Sequence, residues 1–183
     1  MLEEYLIECC SPTLASIKTA NLFNYPFSSE SELYRQLTRW NDILGAKGVS
    51  LTILRQREHT ALIYVYRRAR LQTDLENSEV RGLLTDCGYG KCDIDGAIAT
   101  LRERLYASET FPHEIGVFLG YPIGDVKGFI CNGGKNCKCV GCWKVYCNQH
   151  EAERTFARYK KCSSAYARLW NSGKSVWQLT VAV

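Results

Sequence analysis

The sequence predicts an α+β fold, in which a small antiparallel sheet is packed with about six helices. Three observations lead to this prediction: a β-hairpin pattern over residues 49–66, several segments with apolar residues at helical spacing, and an alternating segment over residues 177–183. With 183 residues, of which 46% are hydrophobic, the chain has the length and composition of one globular domain, 1–183.

The hairpin is the clearest β signal in the chain. The alternate residues Val49, Leu51 and Ile53 are apolar, residues 61–66 are apolar and aromatic, and a polar stretch connects the two runs. The alternating segment 177–183 predicts a C-terminal strand that needs a partner, and the hairpin is the expected one. Residues 140–146 form a further candidate strand, flanked by cysteines.

The helices follow from apolar spacing and from capping residues. The pattern predicts an N-terminal helix over 2–10, because a proline at position 12 is tolerated only in a first helical turn. Further helices are expected at these starts: Ser28 or Ser29, Ser78, Asp93, residues 110–112, Tyr121 with Pro122, and Asn148 with its capping partner Glu151.

The composition excludes several classes of protein. No run of eighteen apolar residues occurs, so a membrane span is not expected, and the acidic start is unlike a secretory signal. We therefore expect a cytoplasmic protein. The net charge of +4 divides into +7 for residues 131–183 and −3 for residues 1–130. A nucleic-acid partner is disfavoured, because the basic residues are not interleaved with an exposed aromatic platform.

Ten cysteines are unusual for a compartment in which disulfides rarely persist. Five of them lie in a cysteine-rich segment, 131–147, which is consistent with free thiols, with a zinc or iron site, or with a redox disulfide. Structural zinc sites usually combine two separated pairs of cysteines, whereas one compact segment supplies every ligand here. The metal alternative would use these four residues: Cys137, Cys139, Cys142 and Cys147.

Two other places carry reactive groups. His113 and Glu114 follow a proline at a predicted helix start, where the helix dipole favours a neutral imidazole that can act as a base. Alternatively, Glu114 complements the dipole and His113 hydrogen-bonds locally. Cys10 lies next to Pro12 and Thr13, where backbone N–H groups would lower the thiol pKa and allow a nucleophile with His113 as its base. Alternatively, Cys10 packs in the core face of the first helix.

Several stretches resemble one known family. The residues FPHEIGVFLGYP (111–122), DVKGFI (125–130) and GCWKVY (141–146), with CSPTL (10–14) followed by Lys18, are similar to a bacterial family of unknown function, DUF3793, seen mainly in anaerobic Firmicutes. The resemblance spans most of the chain and implies a cytoplasmic bacterial protein in a reducing cell, but no activity. In that family's pattern the positions of Cys142 and Cys147 are often other residues, which disfavours a family-wide metal site.

Two functional hypotheses follow. The first is a small-molecule or cofactor-binding protein, with its enzyme status open and Cys10, His113 and Glu114 as catalytic candidates. Its ligand-binding candidates are these six residues: Thr13, Lys18, Tyr121, Trp143, Lys144 and Tyr146. The alternative is a metal-binding or partner-interaction module that uses residues 131–147 and the basic C-terminal helix.

Overall fold

The structure is a computed structural model that describes residues 1–90 and 93–182. It confirms the α+β class, with helices and small antiparallel sheets. The helices of the described residues are α1 Leu2–Leu14, α2 Glu30–Gly45, α3 Arg68–Glu76, α4 Ser78–Asp86, α5 Ile94–Ala107, α6 Ile115–Phe118, α7 Ile123–Cys131, α8 Gln149–Asn171 and α9 Val176–Leu179. The strands are β1 Ala20–Pro26, β2 Val49–Arg57, β3 Thr60–Arg67, β4 Cys139–Val140 and β5 Lys144–Val145.

The chain divides into two compact units. Unit 1 contains Met1–Arg70 and Lys161–Val183, and unit 2 contains Leu71–Lys160. The expectation of a single domain over 1–183 stays a prediction, and the two units are described one at a time. In the described parts of both units, every helix is too short or too polar to cross a bilayer.

Unit 1 is built on a three-stranded antiparallel sheet with the order β1-β3-β2. The predicted hairpin is confirmed as β2 and β3, with a register shift between Ile53 and Arg55. Strand β3 lies in the centre of the sheet and is buried almost throughout, as its unbroken apolar run indicates. The third strand is β1, which the sequence analysis did not predict. Its residue Phe23 lies opposite Ile63 of β3.

The predicted C-terminal strand is wrong. Residues 176–179 form the short helix α9 instead, and the final residue of the predicted strand, Val183, lies outside the described residues. Ser175 and Gln178 form a reciprocal capping box that starts this helix. Val176 and Leu179 are buried, whereas Trp177 is 52% exposed. The buried positions are therefore three residues apart, as on a helix, and the period-two alternation of residue types was misleading.

The first helix also runs further than predicted. Helix α1 continues through Pro12 to Leu14, rather than ending at Cys10. Proline at this position removes the backbone hydrogen bond to the carbonyl of Glu8, but Glu8 is exposed, so water can solvate that carbonyl. The loss is tolerated because the helix ends only two residues later.

The helix predicted from Ser28 or Ser29 is confirmed as α2. Ser29 caps α2 by accepting a hydrogen bond from the backbone N–H of Glu32 at 3.4 Å. The predicted apolar face of α2 is buried against the sheet through these residues: Leu33, Leu37, Trp40 and Leu44.

A buried arginine connects distant segments of unit 1. The side chain of Arg67, at the end of β3, is 1% exposed. Its guanidinium donates hydrogen bonds to the backbone carbonyls of Thr13 (2.8 Å), Leu14 (2.6 Å), Lys47 (2.9 Å) and Val181 (2.8 Å). Carbonyl groups near the end of α1, after α2 and after α9 are thus satisfied by one side chain.

The helices predicted to start near Ser78 and at Asp93 are confirmed in unit 2 as α4 and α5, whereas α3, which precedes them, was not predicted. Asn77 caps α4, and Asp93 caps α5 by accepting a hydrogen bond from the backbone N–H of Gly96 at 2.7 Å. Asn148 caps α8 as predicted, since its side chain accepts from the backbone N–H of Glu151 at 3.2 Å. Helix α7 follows directly after Pro122, which also agrees with the prediction.

Two features of unit 2 differ from the predictions. The single strand expected over 140–146 is a small hairpin, because the chain reverses at Gly141 and Cys142 between β4 and β5. The helix expected after Pro112 is the single turn α6, which begins only at Ile115 and ends before Gly120. Gly120 adopts a left-handed conformation with φ of 70°, and this conformation ends the turn as predicted.

Candidate functional site

Unit 2 contains a pocket of about 300 Å³ between α6, α7 and β5. This volume is at the lower end of the range for small-molecule sites, about 300–1,000 Å³. The lining is mainly apolar and aromatic, with a few polar groups. The lining residues are Phe111, Pro112, His113, Ile115, Gly116, Tyr121, Asp125, Val126, Phe129, Trp143 and Lys144.

Five of the eleven lining residues carry aromatic rings. Tyr121 and Trp143 are stacked with their ring centroids 4.9 Å apart and their planes inclined by 30°. The ring of His113 meets Phe129 edge-on at 5.1 Å. Phe111 is 41% exposed at the pocket, although it is a large apolar side chain. These rings offer flat surfaces on which a planar molecule could stack.

Asp125 holds the indole of this wall in place. Its carboxylate is 3% exposed and lies in the first turn of α7. One oxygen accepts a hydrogen bond from the indole N–H of Trp143 at 2.7 Å. The other accepts from the backbone N–H groups of Tyr146 and Cys147, each at 2.8 Å. The carboxylate therefore fixes both the Trp143 ring and the backbone after β5 relative to α7.

Glycines on α7 allow this close packing. A Cβ atom at Gly128 would lie 2.5 Å from the Cβ of Tyr146, and one at Gly124 would lie 2.6 Å from the Sγ of Cys147. Both glycines lie one helical turn apart, so residues 146–147 rest directly on the helix backbone. The hydroxyl oxygen of Tyr146 is buried there, and within the described chain it has no hydrogen-bond partner.

Lys144 supplies a positive charge at the pocket. Its side chain is exposed, and its ammonium group donates a hydrogen bond to the backbone carbonyl of Gly134 at 2.8 Å. The same ammonium lies 5.8 Å from the ring centroid of Phe129. Gly134 has a φ of 75°, and a Cβ there would approach the Phe129 ring to 3.1 Å. A glycine is therefore required at the turn that receives the lysine.

The predicted pair His113 and Glu114 separates into two environments. His113 is exposed and lines the pocket, whereas the side chain of Glu114 is buried, with 2% exposure for the whole residue. Glu114 accepts hydrogen bonds from the guanidinium Nε of Arg104 and from the hydroxyl of Tyr89 at 3.1 Å. Burial, with the nearby Glu114 charge, raises the pKa of Tyr89, which keeps the phenol protonated. The negative charge of Glu114 is neutralised by its ion pair with Arg104.

Cys10 and its predicted neighbours belong to unit 1. Cys10 is fully buried in the core, and burial together with the neighbouring Cys9 raises its thiol pKa well above the ordinary value. This environment holds the thiol protonated, unlike that of a reactive thiolate. Thr13 donates a hydrogen bond to the side-chain oxygen of Asn21 at 2.7 Å, and Lys18 is 6% exposed. A pair between Cys10 and the unit 2 residue His113 stays a prediction.

The cysteine-rich segment does not form a metal-ligand cluster in the described residues. Cys137 and Cys139 are half-buried, and Cys142 and Cys147 are exposed. Within residues 1–90 and 93–182, no group of three or more histidine, cysteine or acidic side chains is arranged to hold a metal ion. The five cysteines of the segment are free thiols. The segment contributes Trp143 and Lys144 to the pocket instead.

The structure thus brings together His113, Tyr121, Trp143 and Lys144 of the predicted site residues. Sequence reasoning missed Asp125, the residue that organises them. One signal was available, because Asp125 is an isolated acidic residue in α7, a helix otherwise rich in apolar residues and glycine. A lone carboxylate in such a helix indicates a specific hydrogen-bonding partner.

Comparison with known proteins shows one relationship. A family model described as a protein of unknown function, DUF3793, matches residues 6–180. No curated protein and no solved structure matches the chain. The match covers almost the whole sequence, including every element of the pocket. The chain therefore belongs to the DUF3793 family.

Proposed function

We propose that the chain binds a small planar organic molecule in the unit 2 pocket. One observation carries the proposal: the pocket has a volume of about 300 Å³ and a wall of aromatic rings that includes Tyr121, Phe129 and Trp143. Small-molecule sites are typically concave and mainly apolar, with a few polar groups that orient the ligand. Lys144 and His113 are the polar groups that this pocket offers at its exposed side.

Preorganisation supports this proposal. The Trp143 ring is fixed by the Asp125 carboxylate and stacked on Tyr121, so its orientation is set before any ligand arrives. Fixing side chains during binding costs roughly 0.5–1.5 kcal/mol for each flexible group. A pocket whose main ring is already fixed avoids part of that cost. Phe111 and Phe129, which are incompletely buried, would lose further contact with water under a bound ring.

The proposal is for binding and not for a thiol–histidine reaction. The Cys10 thiol is fully buried with a raised pKa, and the Glu114 carboxylate is occupied by Arg104 and Tyr89. The metal-binding alternative has less support than the pocket, because the described residues form no group of three ligands. As part of the proposal we keep a cytoplasmic location, which the free thiols of the described chain support.

A titration with the neutral bicyclic probe 2-naphthamide tests this function. Binding to the purified full chain is followed by ligand-observed NMR, with the wild type compared against Phe111→Ala. Phe111 is 41% exposed, so its removal should leave the fold intact while deleting part of the wall. Removing the stacking ring should weaken binding about three- to tenfold, since aromatic pairs contribute about 0.5–1.5 kcal/mol beyond area.

Tyr106→Ala is the matched control. Tyr106 is 60% exposed in the same unit and does not line the pocket. We expect this variant to bind the probe as the wild type does. Absence of any saturable binding by the wild type would refute the proposal. Equal binding of the probe by the wild type and by Phe111→Ala would refute the assignment of the binding site to this pocket.

A further inference from the structure

We infer that the ligand of the aromatic pocket is a planar aromatic anion, whose carboxylate or similar oxyanion group is bound by Lys144. This inference rests on the proposed function and adds the charge of the ligand to it. Three features support it: the hydrogen-bonding capacity of Lys144, the protein donors that already occupy Asp125, and the charge of residues 126–150.

Lys144 has more N–H donors than the one that it uses to bind Gly134. A lysine ammonium carries three N–H donors and no acceptor. One donor is used by the carbonyl of Gly134, and the side chain of Lys144 lines the pocket. The side chain is exposed, so the remaining donors can meet a ligand without first breaking a buried contact. Hydrogen bonds from a charged donor to a carboxylate are about twice as strong as neutral ones.

The same geometry disfavours a cationic ligand. Aromatic pockets often bind cations through the faces of their rings. Here the Lys144 ammonium already lies 5.8 Å from the Phe129 ring centroid, so a second cation would be repelled. The acidic group in the lining, Asp125, is 3% exposed, and its oxygens accept N–H groups from Trp143, Tyr146 and Cys147. This carboxylate is committed to protein donors.

The segment that supplies Trp143 and Lys144 carries positive and no negative side-chain charge. Residues 126–150 contain four lysines and no aspartate or glutamate. Of these, Lys127 is paired with Glu79, at 2.7 Å, whereas Lys144 faces the pocket. Glu114, which precedes the pocket residue Ile115, is neutralised by Arg104. His113 adds a second donor, because an imidazole carries at least one N–H in either protonation state.

An isosteric series of probes tests the inference on the full chain. The probes are 2-naphthoate, 2-naphthamide and 2-naphthylmethylammonium, which share one ring system and differ mainly in charge. We expect the wild type to bind the carboxylate about five- to tenfold more tightly than the amide, and the ammonium most weakly. A factor of ten corresponds to about 1.4 kcal/mol, which is the scale of one charged hydrogen bond. The preference should shrink as salt rises.

Lys144→Gln should remove the preference for the carboxylate over the amide, and Lys144→Arg should retain that preference. Lys135→Gln is the matched control, because it changes the net charge equally at an exposed position outside the pocket. The Lys135→Gln variant should keep most of the preference for the carboxylate over the amide.

Each outcome discriminates between the two proposals. Equal binding of the carboxylate and the amide by the wild type would overturn the anion inference while leaving the binding function intact. If the ammonium probe bound most tightly of the three, the anion inference would likewise be overturned and the binding function would stand. An equal loss of preference in Lys135→Gln and Lys144→Gln would overturn the assignment to Lys144. Absence of binding by all three probes would overturn the proposed function itself.

Discussion

Replacing Asp125 by asparagine tests the organisation of the pocket directly. The buried carboxylate accepts the indole N–H of Trp143 with one oxygen and two backbone N–H groups with the other. An asparagine has one carbonyl oxygen, and its amide nitrogen is a donor. In the better of its two orientations, the oxygen keeps the two backbone bonds and the NH₂ group faces the indole N–H. In the other orientation two bonds are lost.

The magnitude follows from these contacts. Loss of the indole bond, with two donors left facing each other, costs roughly 1.5–3 kcal/mol for a bond to a charged group. The two remaining bonds become neutral and weaken by roughly half. Removing a buried negative charge offsets part of this cost, because a neutral amide is easier to desolvate. We therefore expect Asp125→Asn to lower the free energy of unfolding by about 2 kcal/mol.

Urea denaturation followed by circular dichroism measures the change in the transition that includes unit 2. Amide hydrogen exchange gives a local readout, and the N–H groups of Tyr146 and Cys147 should lose protection. Asp86→Asn, at an exposed aspartate in the same unit, should change stability by less than about 0.5 kcal/mol. In a Trp143→Phe background the Asp125→Asn penalty should fall, because the indole donor is absent. An unchanged penalty there, or a near-zero effect in the wild type, would refute the reasoning.

Three further predictions concern other contacts. Gly128→Ala should lower the free energy of unfolding by about 1–3 kcal/mol, because the new Cβ would lie 2.5 Å from Tyr146. Gly82→Ala should raise it by about 0.5–1 kcal/mol, since nothing lies within 4 Å of a Cβ at that helical position. Arg67→Met should destabilise unit 1 by on the order of 3 kcal/mol or more, because it deprives buried carbonyls of their donor. Burial raises the pKa of Tyr121 to about 12. The neutral phenol therefore contributes stability below pH 10 that is lost as the pH rises towards 12. Tyr121→Phe should reduce this loss of stability at alkaline pH, and the phenolate absorbance titration should lose one tyrosine that titrates at high pH.

Each of these predictions names a result that would contradict it. The two glycine variants are measured by the same urea denaturation, and equal effects would show that the approach of Tyr146 does not constrain position 128. Arg39→Met, at an exposed arginine of α2, controls for the general loss of a guanidinium and should change stability little. If the phenolate titration of Tyr121→Phe lost a tyrosine that titrates near pH 10, the buried environment assigned to Tyr121 would be incorrect.

Much of the secondary structure was predictable because local signals agreed with the tertiary outcome. Ser29 and Asp93 cap helices whose apolar faces are buried. Strand β2 begins with the expected alternation, with Val49 and Leu51 buried, but the register shift after Ile53 leaves Ile53 half-buried and buries Leu54 instead. The two failures have different causes. Strand β1 mixes apolar residues with Asn21 and Asn24, so its pattern is weak, and the strand is defined by pairing with β3. The alternation after Trp177 was strong but short, and the capping box of α9 outweighed it.

The candidate site was predictable only in part. The residues His113, Tyr121, Trp143 and Lys144 were identified because polar and reactive groups lie there among tight proline and glycine turns. The structure places all four at the pocket. Their organising residue was not identified, because a hydrogen bond between Asp125 and Trp143 spans 18 positions and leaves no periodic signal. Cys10 was a candidate nucleophile on the basis of its neighbours in sequence, with packing in the core face of the first helix as the alternative. The structure shows it buried in the core, where α1 packs against β1, β3 and α9.

The buried Arg67 has a consequence for the order in which the molecule is completed. Its guanidinium binds Val181 across a separation of 114 residues, and unit 2 is synthesised between these two positions. During translation the first 70 residues can form the three-stranded sheet, but the guanidinium lacks one of its acceptors until residue 181 has left the ribosome. Closing so long a loop is entropically slow compared with forming the hairpin. We therefore expect unit 1, although it contains the first residue of the chain, to reach its final stability only after unit 2 has been made.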